Sequence, residues 1–434
     1  MRNFIWIIIV TLFFPMLNLS AQDAFGDIFD ESEISETATA SGTNIEVSGT
    51  LSTDHVYFFD ASVVKNNEVL AMPEAEVNLK ILEGDTEGII SLNISPQKWD
   101  PDIIYSDIIN ELYMRSFFSF GYMEAGLMKV EWGSADGIHV LDPLSFWDLT
   151  DGFSLDVTSL KKASEIVKMN IYIKESGLLE LAYKPFFSSH IMAQSGRWST
   201  GMENIPNLHI PDTTTLEYSQ AALRLTGTIG RFDIGTQYYY GYLPDPALNT
   251  DFGTGHTYIT YDRAHLFGLE GGFALGFLTF WMEAGYWLTE DMDGSDPAVY
   301  NNRLVYLPGM DFTVPGIKLY VNVQLVGDYT FNTENLSLLD VDETTGYGSP
   351  SHNNMLLIAG ELPFNKDKTK IRLSGMWSIE EEGYMILPEL LWDLNDNLNL
   401  SIYGQIIEGK DGNAGMMNSW KKNDNFGMKI VYIF

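Results

Sequence analysis

The chain has 434 residues and no cysteine, which excludes a disulfide framework and a lipid-modified cysteine anchor. Its 25 Lys and Arg against 59 Asp and Glu give a formal charge of −34, the wrong sign for a phosphate-binding surface, so nucleic acid is excluded as a partner. Aromatic residues make up 13%, and mean hydropathy is −0.04, as expected of strands apolar on one side and polar on the other.

Arg2 precedes an apolar run from Phe4 to Leu17, followed by Asn18-Leu19-Ser20-Ala21. This is the layout of a signal peptide over residues 1–21, with a small residue, Ala21, at the cut. The run is short for a membrane-spanning helix and Pro15 interrupts it. No second such run follows, so the mature chain is expected to be exported without a helical anchor. Residues 22–43 are acidic, rich in Ser, Thr and Ala, and lack Lys and Arg, which predicts a disordered lead-in.

From Ile45 onward, alternating segments are predicted near 45–62, 77–82, 87–95, 108–119, 122–132, 168–174, 178–187, 216–229 and 232–242. The series continues near 257–270, 273–289, 300–312, 317–331, 352–364, 369–379, 384–393, 397–408 and 424–434. Turn formers join them in pairs: Glu83-Gly84-Asp85, Glu175-Ser176-Gly177, Gly230-Arg231, Gly271-Gly272, Pro315-Gly316, Asn365-Lys366-Asp367 and Leu394-Asn395-Asp396. Between the pairs lie long connections near 133–167, 188–215, 243–256, 290–299, 332–351 and 409–423. Lys161 to Glu165 reads as a short helix within the first of these.

Single strands show two distinct faces. In 317–331 the odd positions run Ile317, Leu319, Val321, Val323, Leu325, Gly327, Tyr329 and Phe331, opposed by the mostly polar Lys318, Tyr320, Asn322, Gln324, Val326, Asp328 and Thr330. Leu278, Phe280, Met282, Ala284, Tyr286 and Leu288 likewise oppose Thr279, Glu283 and Thr289, and Ile371, Leu373 and Trp377 oppose Lys370, Arg372 and Ser374. In water this pattern means an apolar core; in a membrane it means an apolar exterior and a polar lumen. Short connections segregated from long ones favour the second, and a sheet that spans lipid has to close. The expectation is an all-β, transmembrane antiparallel barrel over residues 44–434, with about 16 to 18 strands, an even number.

The last strand, from Asn425 to Phe434, places Phe426, Met428, Ile430, Tyr432 and Phe434 on one face. It resembles the closing strand of bacterial outer-membrane barrels, which implies outer-membrane lipid and the barrel-insertion machinery as partners. The short turns and the lead-in would then be periplasmic and the long loops extracellular. The longest loop carries Trp132-Gly133, Asp136-Gly137 and Asp142-Pro143, followed by Tyr183-Lys184-Pro185-Phe186-Phe187 and Ser195-Gly196-Arg197-Trp198. This run is similar to a poorly characterised family of bacterial porin-like barrels over roughly residues 115–200. The resemblance implies a loop folded inward to narrow a channel, with Asp136, His139, Asp142, Trp147, Asp148 and Asp151 at the constriction. It transfers no catalytic residues. An external cap, or aspartates that only stabilise turns, is the alternative.

Strand alternation places Arg115, Lys174, Arg224, Arg231, Lys318, Lys370 and Arg372 on the lumen wall, with Asp233, Glu283 and Asp328 as its acids, a basic wall that would bias a pore towards anions. The loop acids facing it would set a transverse field. The seven histidines, His55, His139, His190, His209, His256, His265 and His352, form no metal-ligand pair at helical spacing, and no hydrolase or nucleotide motif is present. The acidic runs Asp291 to Asp296 and Asp340 to Glu343 lack full calcium-loop spacing and read as solvated tips. No catalytic residue, metal or cofactor is expected. The expected function is passive diffusion of small hydrophilic solutes across a bacterial outer membrane. Two rivals remain: a surface adhesin with a blocked lumen, and a hydrolase built on His139 with Asp136 or Asp142 and a serine. The residues carry no interface signal that would decide for a trimer.

Overall fold

The computed structural model describes residues 43–434 except 61–68, 96–107, 155–156, 175, 194, 200–204, 206, 252, 337–339, 343–350 and 413–414. The expected signal peptide, and all but the last residue of the expected lead-in, lie outside the described residues.

Eighteen strands form one antiparallel sheet. They are β1 (Asn44–Phe58), β2 (Val69–Glu83), β3 (Thr86–Ile94), β4 (Ile109–Phe118), β5 (Gly121–Met128) and β6 (Ser164–Ile173). Next come β7 (Gly177–Lys184), β8 (Gln220–Ile229), β9 (Phe232–Tyr242), β10 (Arg263–Leu275), β11 (Leu278–Leu288) and β12 (Arg303–Val314). The last are β13 (Leu319–Thr330), β14 (His352–Phe364), β15 (Thr369–Ser378), β16 (Gly383–Asn395), β17 (Leu398–Glu408) and β18 (Asn425–Ile433). Each pairs with its sequence neighbours, and β18 pairs with β1 from Thr50↔Ile433 to Phe58↔Asn425, so the sheet closes and keeps no edge.

The predicted tight joints sit at the ends of paired strands, with one exception, and Glu175 of one joint lies outside the described residues. Gly271-Gly272 lies inside β10, opposite Met282 and Trp281, and the chain turns later, between Leu275 and Leu278. The predicted helix at Lys161 to Glu165 is also absent. A four-residue helix spans Val157–Leu160, Lys161 and Lys162 pair with Trp147 and Phe146, and Ser164 and Glu165 open β6.

The alternation resolves as an apolar outside and a polar inside. Met282 is 52% exposed while its neighbour Glu283 is fully buried. Exposed rings collect at both ends of the strands: Phe117, Phe118, Phe232, Phe277 and Phe434 near the short turns, and Tyr57, Tyr183, Tyr240, Tyr286 and Phe426 near the long loops. A continuous apolar outer band between two aromatic belts is stable only in contact with lipid, so the barrel spans a membrane.

Candidate functional site

The lumen wall is a chain of ion pairs. Arg115 on β4 bridges Glu87 (3.2 Å) and Glu124 (2.7 Å), and Lys168 on β6 bridges Glu124 (3.0 Å) and Glu180 (3.6 Å). Arg224 on β8 continues to Glu180 (3.0 Å) and Glu270 (2.7 Å). It reaches β10 across β9 because Gly235 lies between them, where a Cβ would meet Glu270 Oε1 at 2.6 Å. A second group on the far wall joins Arg372 to Glu361 (2.7 Å) and Glu389 (3.2 Å), with Lys370 on Glu361 (3.4 Å). At the closing seam the Tyr403 hydroxyl donates to Asp54 on β1 (2.7 Å), passing over Gly427 of β18.

Of the expected wall cations, Arg115, Arg224, Lys370 and Arg372 are therefore in place. Lys174, Arg231 and Lys318 are not: they occupy the hairpin turns after β6, β8 and β12, and Lys318 pairs with Asp367 on a neighbouring turn (3.2 Å). Each of the four wall cations is matched by at least one carboxylate, so the expected basic wall is not present. Lys168 and the acids Glu124, Glu180, Glu270, Glu361 and Glu389 complete the wall, and strand alternation is the signal in the sequence that points to them.

Loop 129–163 enters the lumen. Its buried Trp132, Leu141 and Leu144 join an apolar cluster with inward residues of β7 to β11: Ala182, Ala222, Tyr239, Leu266 and Trp287. Farther along, Leu149, Phe153 and Leu160 join a second cluster with Leu357, Met376, Met385 and Ile407 on β14 to β17. The loop thus crosses between two apolar patches on opposite stretches of wall. Trp420, on the short helix Met416–Trp420, belongs to that second cluster and donates its indole N–H to the Trp198 carbonyl (2.8 Å).

Glu283 on β11 holds the crossing. One oxygen accepts the Ala135 amide (2.9 Å) and faces His139 Nδ1 (2.8 Å); the other accepts the Val140 (2.9 Å) and Leu141 (3.2 Å) amides. Arg224 donates to the Gly133 carbonyl (3.1 Å), Gln237 to that of Leu141 (2.7 Å) and Lys184 to that of Leu144 (3.0 Å). Asp136 accepts from Asn322 (2.7 Å) and Tyr320 (3.3 Å) on β13.

The loop acids Asp142 and Asp148 do not face wall cations. Asp142 pairs with Lys161 (2.9 Å) and Asp148 with Lys162 (3.2 Å), both within the same loop, so the expected transverse field is absent as drawn. The Trp147 amide donates to His190 Nδ1 (3.0 Å), and Asp151 is an exposed turn residue beside it in the loop. Burial favours a neutral His139, but the hydrogen bond and charge of Glu283 outweigh it and hold the imidazole above its ordinary pKa. Its other ring nitrogen faces Glu131 at 3.1 Å. Burial lowers the pKa of His190, which fits the neutral ring that accepts the Trp147 amide.

Above this partition, on the long-loop side, lies a cavity of about 410 Å³. Its polar lining includes Asp142, Lys161, Asp245, Arg303, Asp328 and Glu381. Arg303 grips Asp245 at 2.6 Å and, although burial opposes it, keeps that carboxyl below the ordinary range. Of the outer-loop acids expected to be solvated, Asp293 and Asp296 are exposed and Glu343 lies outside the described residues, but Asp291, Asp340 and Asp342 are buried: Asp291 accepts the amides of Gly294, Ser295 and Asp296, and Asp342 accepts that of Asn301. Among the described residues, no group of three or more His, Asp or Glu side chains could hold a metal ion.

No protein-family model and no curated protein matches the chain. Solved structures do. OpdO of Pseudomonas aeruginosa aligns over 90% of this chain and 96% of its own at a TM-score of 0.52 and 8% identity. The chain and OpdO share a fold. The outer membrane channel DcaP of Acinetobacter baumannii aligns over 92% of this chain and all of its own, at a TM-score of 0.44 and 10% identity. A mutant Rh. blastica porin aligns over 90% of this chain and all of its own, at 0.43 and 11%. At these identities the likeness concerns architecture alone, and the site rests on the chain's own geometry.

Proposed function

We propose that the protein is a porin-like channel of the bacterial outer membrane, through which small hydrophilic solutes diffuse past a partition formed by loop 129–163. The observation that carries this reading is the closed barrel of 18 strands, apolar outside and lined within by ion pairs, too wide to be filled by wall side chains alone. What fills it is a loop anchored at mid-wall by Glu283, with a polar cavity above it. The names of two similar structures, an outer membrane channel and a porin, agree with the reading. Wall ion pairs keep the lumen polar, and the loop sets the size limit.

The blocked-lumen reading draws on the two apolar clusters, which join the loop to wall on both sides. Planar-bilayer recording of the purified, folded protein separates the two. Stepwise currents support the channel; a silent barrel that remains folded by gel mobility refutes it and leaves a surface-structural role. The hydrolase reading gains nothing from the geometry, since the two ring nitrogens of His139 face Glu283 and Glu131.

A further inference from the structure

We propose that the cavity above the partition is a binding site for small organic cations with an apolar body, ammonium or guanidinium compounds being the class it fits; this rests on the channel reading above. Its volume of about 410 Å³ falls within the usual range of ligand pockets, roughly 300–1,000 Å³. The charged lining, among the described residues, sets Asp142, Asp245, Asp328 and Glu381 against Lys161 and Arg303. His139 also lines it, but its ring is already engaged by Glu283 and Glu131. With Lys161 on Asp142 and Arg303 on Asp245, the lining carries more carboxylates than cations.

Asp142 is buried and is held by Lys161 (2.9 Å) and by the neighbouring Ser145. The rest of the lining is apolar and partly deformable: Trp147, Trp287, Val305, Val326, Met355 and Met416. Methionine adapts to irregular shapes, and indole faces attract organic cations. Arg303, Asp328 and Ser378 stand at or near the loop ends of their strands, so a solute from the long-loop side meets this site before the partition.

The test uses the full mature protein in planar bilayers, with phenethylammonium and its shape-matched anion phenylacetate as probes. Phenethylammonium is expected to interrupt the current at millimolar concentration from the long-loop side while phenylacetate does not, and a potassium chloride gradient should show cation preference. Asp328→Asn should weaken the block about fivefold, the weight of one unit charge at about 4 Å in a water-like dielectric. Glu381→Gln should shift it in the same direction, and Lys318→Gln, on a short turn at the opposite end of the barrel, should leave it unchanged. Equal block by both probes, or a block untouched in both acid variants, overturns the site while the channel stands. If no current is seen, the channel reading fails. Calorimetry on the detergent-folded barrel then decides the site alone: selective phenethylammonium binding sustains it, and binding of neither probe overturns it.

Discussion

Glu283→Ala removes the acceptor that three loop amides and one imidazole share. Each buried amide left without a partner costs about 1–3 kcal/mol, so the three together cost about 3–9 kcal/mol. Against this, the loop retains its apolar anchors Trp132, Leu141 and Leu144, each contributing about 1.5–3 kcal/mol of burial. The two sums are of the same size, so the segment around Glu283 is expected to loosen, while the second apolar cluster and the bonds from Arg224, Gln237 and Lys184 still tie the loop to the wall. The wall should survive, because the strand ladder and the Arg224 bridges do not involve Glu283. Two readouts follow. Unitary conductance should rise and become heterogeneous, and trypsin should cut at Lys161-Lys162, which the folded loop holds by pairs to Asp142 and Asp148. Glu283→Gln, which keeps one acceptor oxygen, should fall between wild type and Ala. The reasoning is refuted if Glu283→Ala keeps wild-type conductance and wild-type protease resistance at that site.

Arg224→Ala leaves Glu180 and Glu270 buried without their shared cation, and should cost about 3–5 kcal/mol, read as a lower temperature for conversion of the compact gel form to the unfolded one. His139 has its folded pKa raised, so its pairing with Glu283 stabilises the loop fully below the unfolded value and is lost as pH rises through the folded one. Protease sensitivity of the loop should therefore increase from acid to alkaline pH, and His139→Gln should flatten that profile. Burial pushes Asp262 and Asp342 up to about 6, the opposite of a salt-bridged acid. The folded outer loops bind the extra protons, so their stability is greatest below the ordinary carboxylate value and falls as pH rises to about 6. Asp342→Asn should then slow amide exchange of the loops at pH 7.5 while changing little at pH 4; equal exchange at pH 7.5 would count against the burial argument.

The strands were readable because a strand's faces alternate with every residue, a rule that needs no knowledge of neighbours. That rule placed Glu283 and Arg224 inside and Met282 and Leu373 outside, and it revealed the even number of segments. It failed where local chemistry was ambiguous. Gly271-Gly272 looks like a hairpin joint, yet both glycines continue β10 opposite Trp281 and Met282, and the chain turns at Gly276 instead. Lys174 and Lys318 alternate correctly as lumen residues but fall in left-handed turn positions, where the alternation has ended.

Charge pairing was out of reach for a different reason. Arg224 and Glu270 are 46 positions apart, and Glu283 lies 148 positions from Ala135. Only closure of the sheet, together with the missing side chains at Gly235 and Gly427, lets these groups meet. The face of each side chain follows from adjacent peptide units, so the linear order of residues was enough to decide it. Which cation neutralises which acid, and whether the long loop lies in the lumen or above it, depends on the register and circumference of the closed wall, and these exist only once every strand has found its partner.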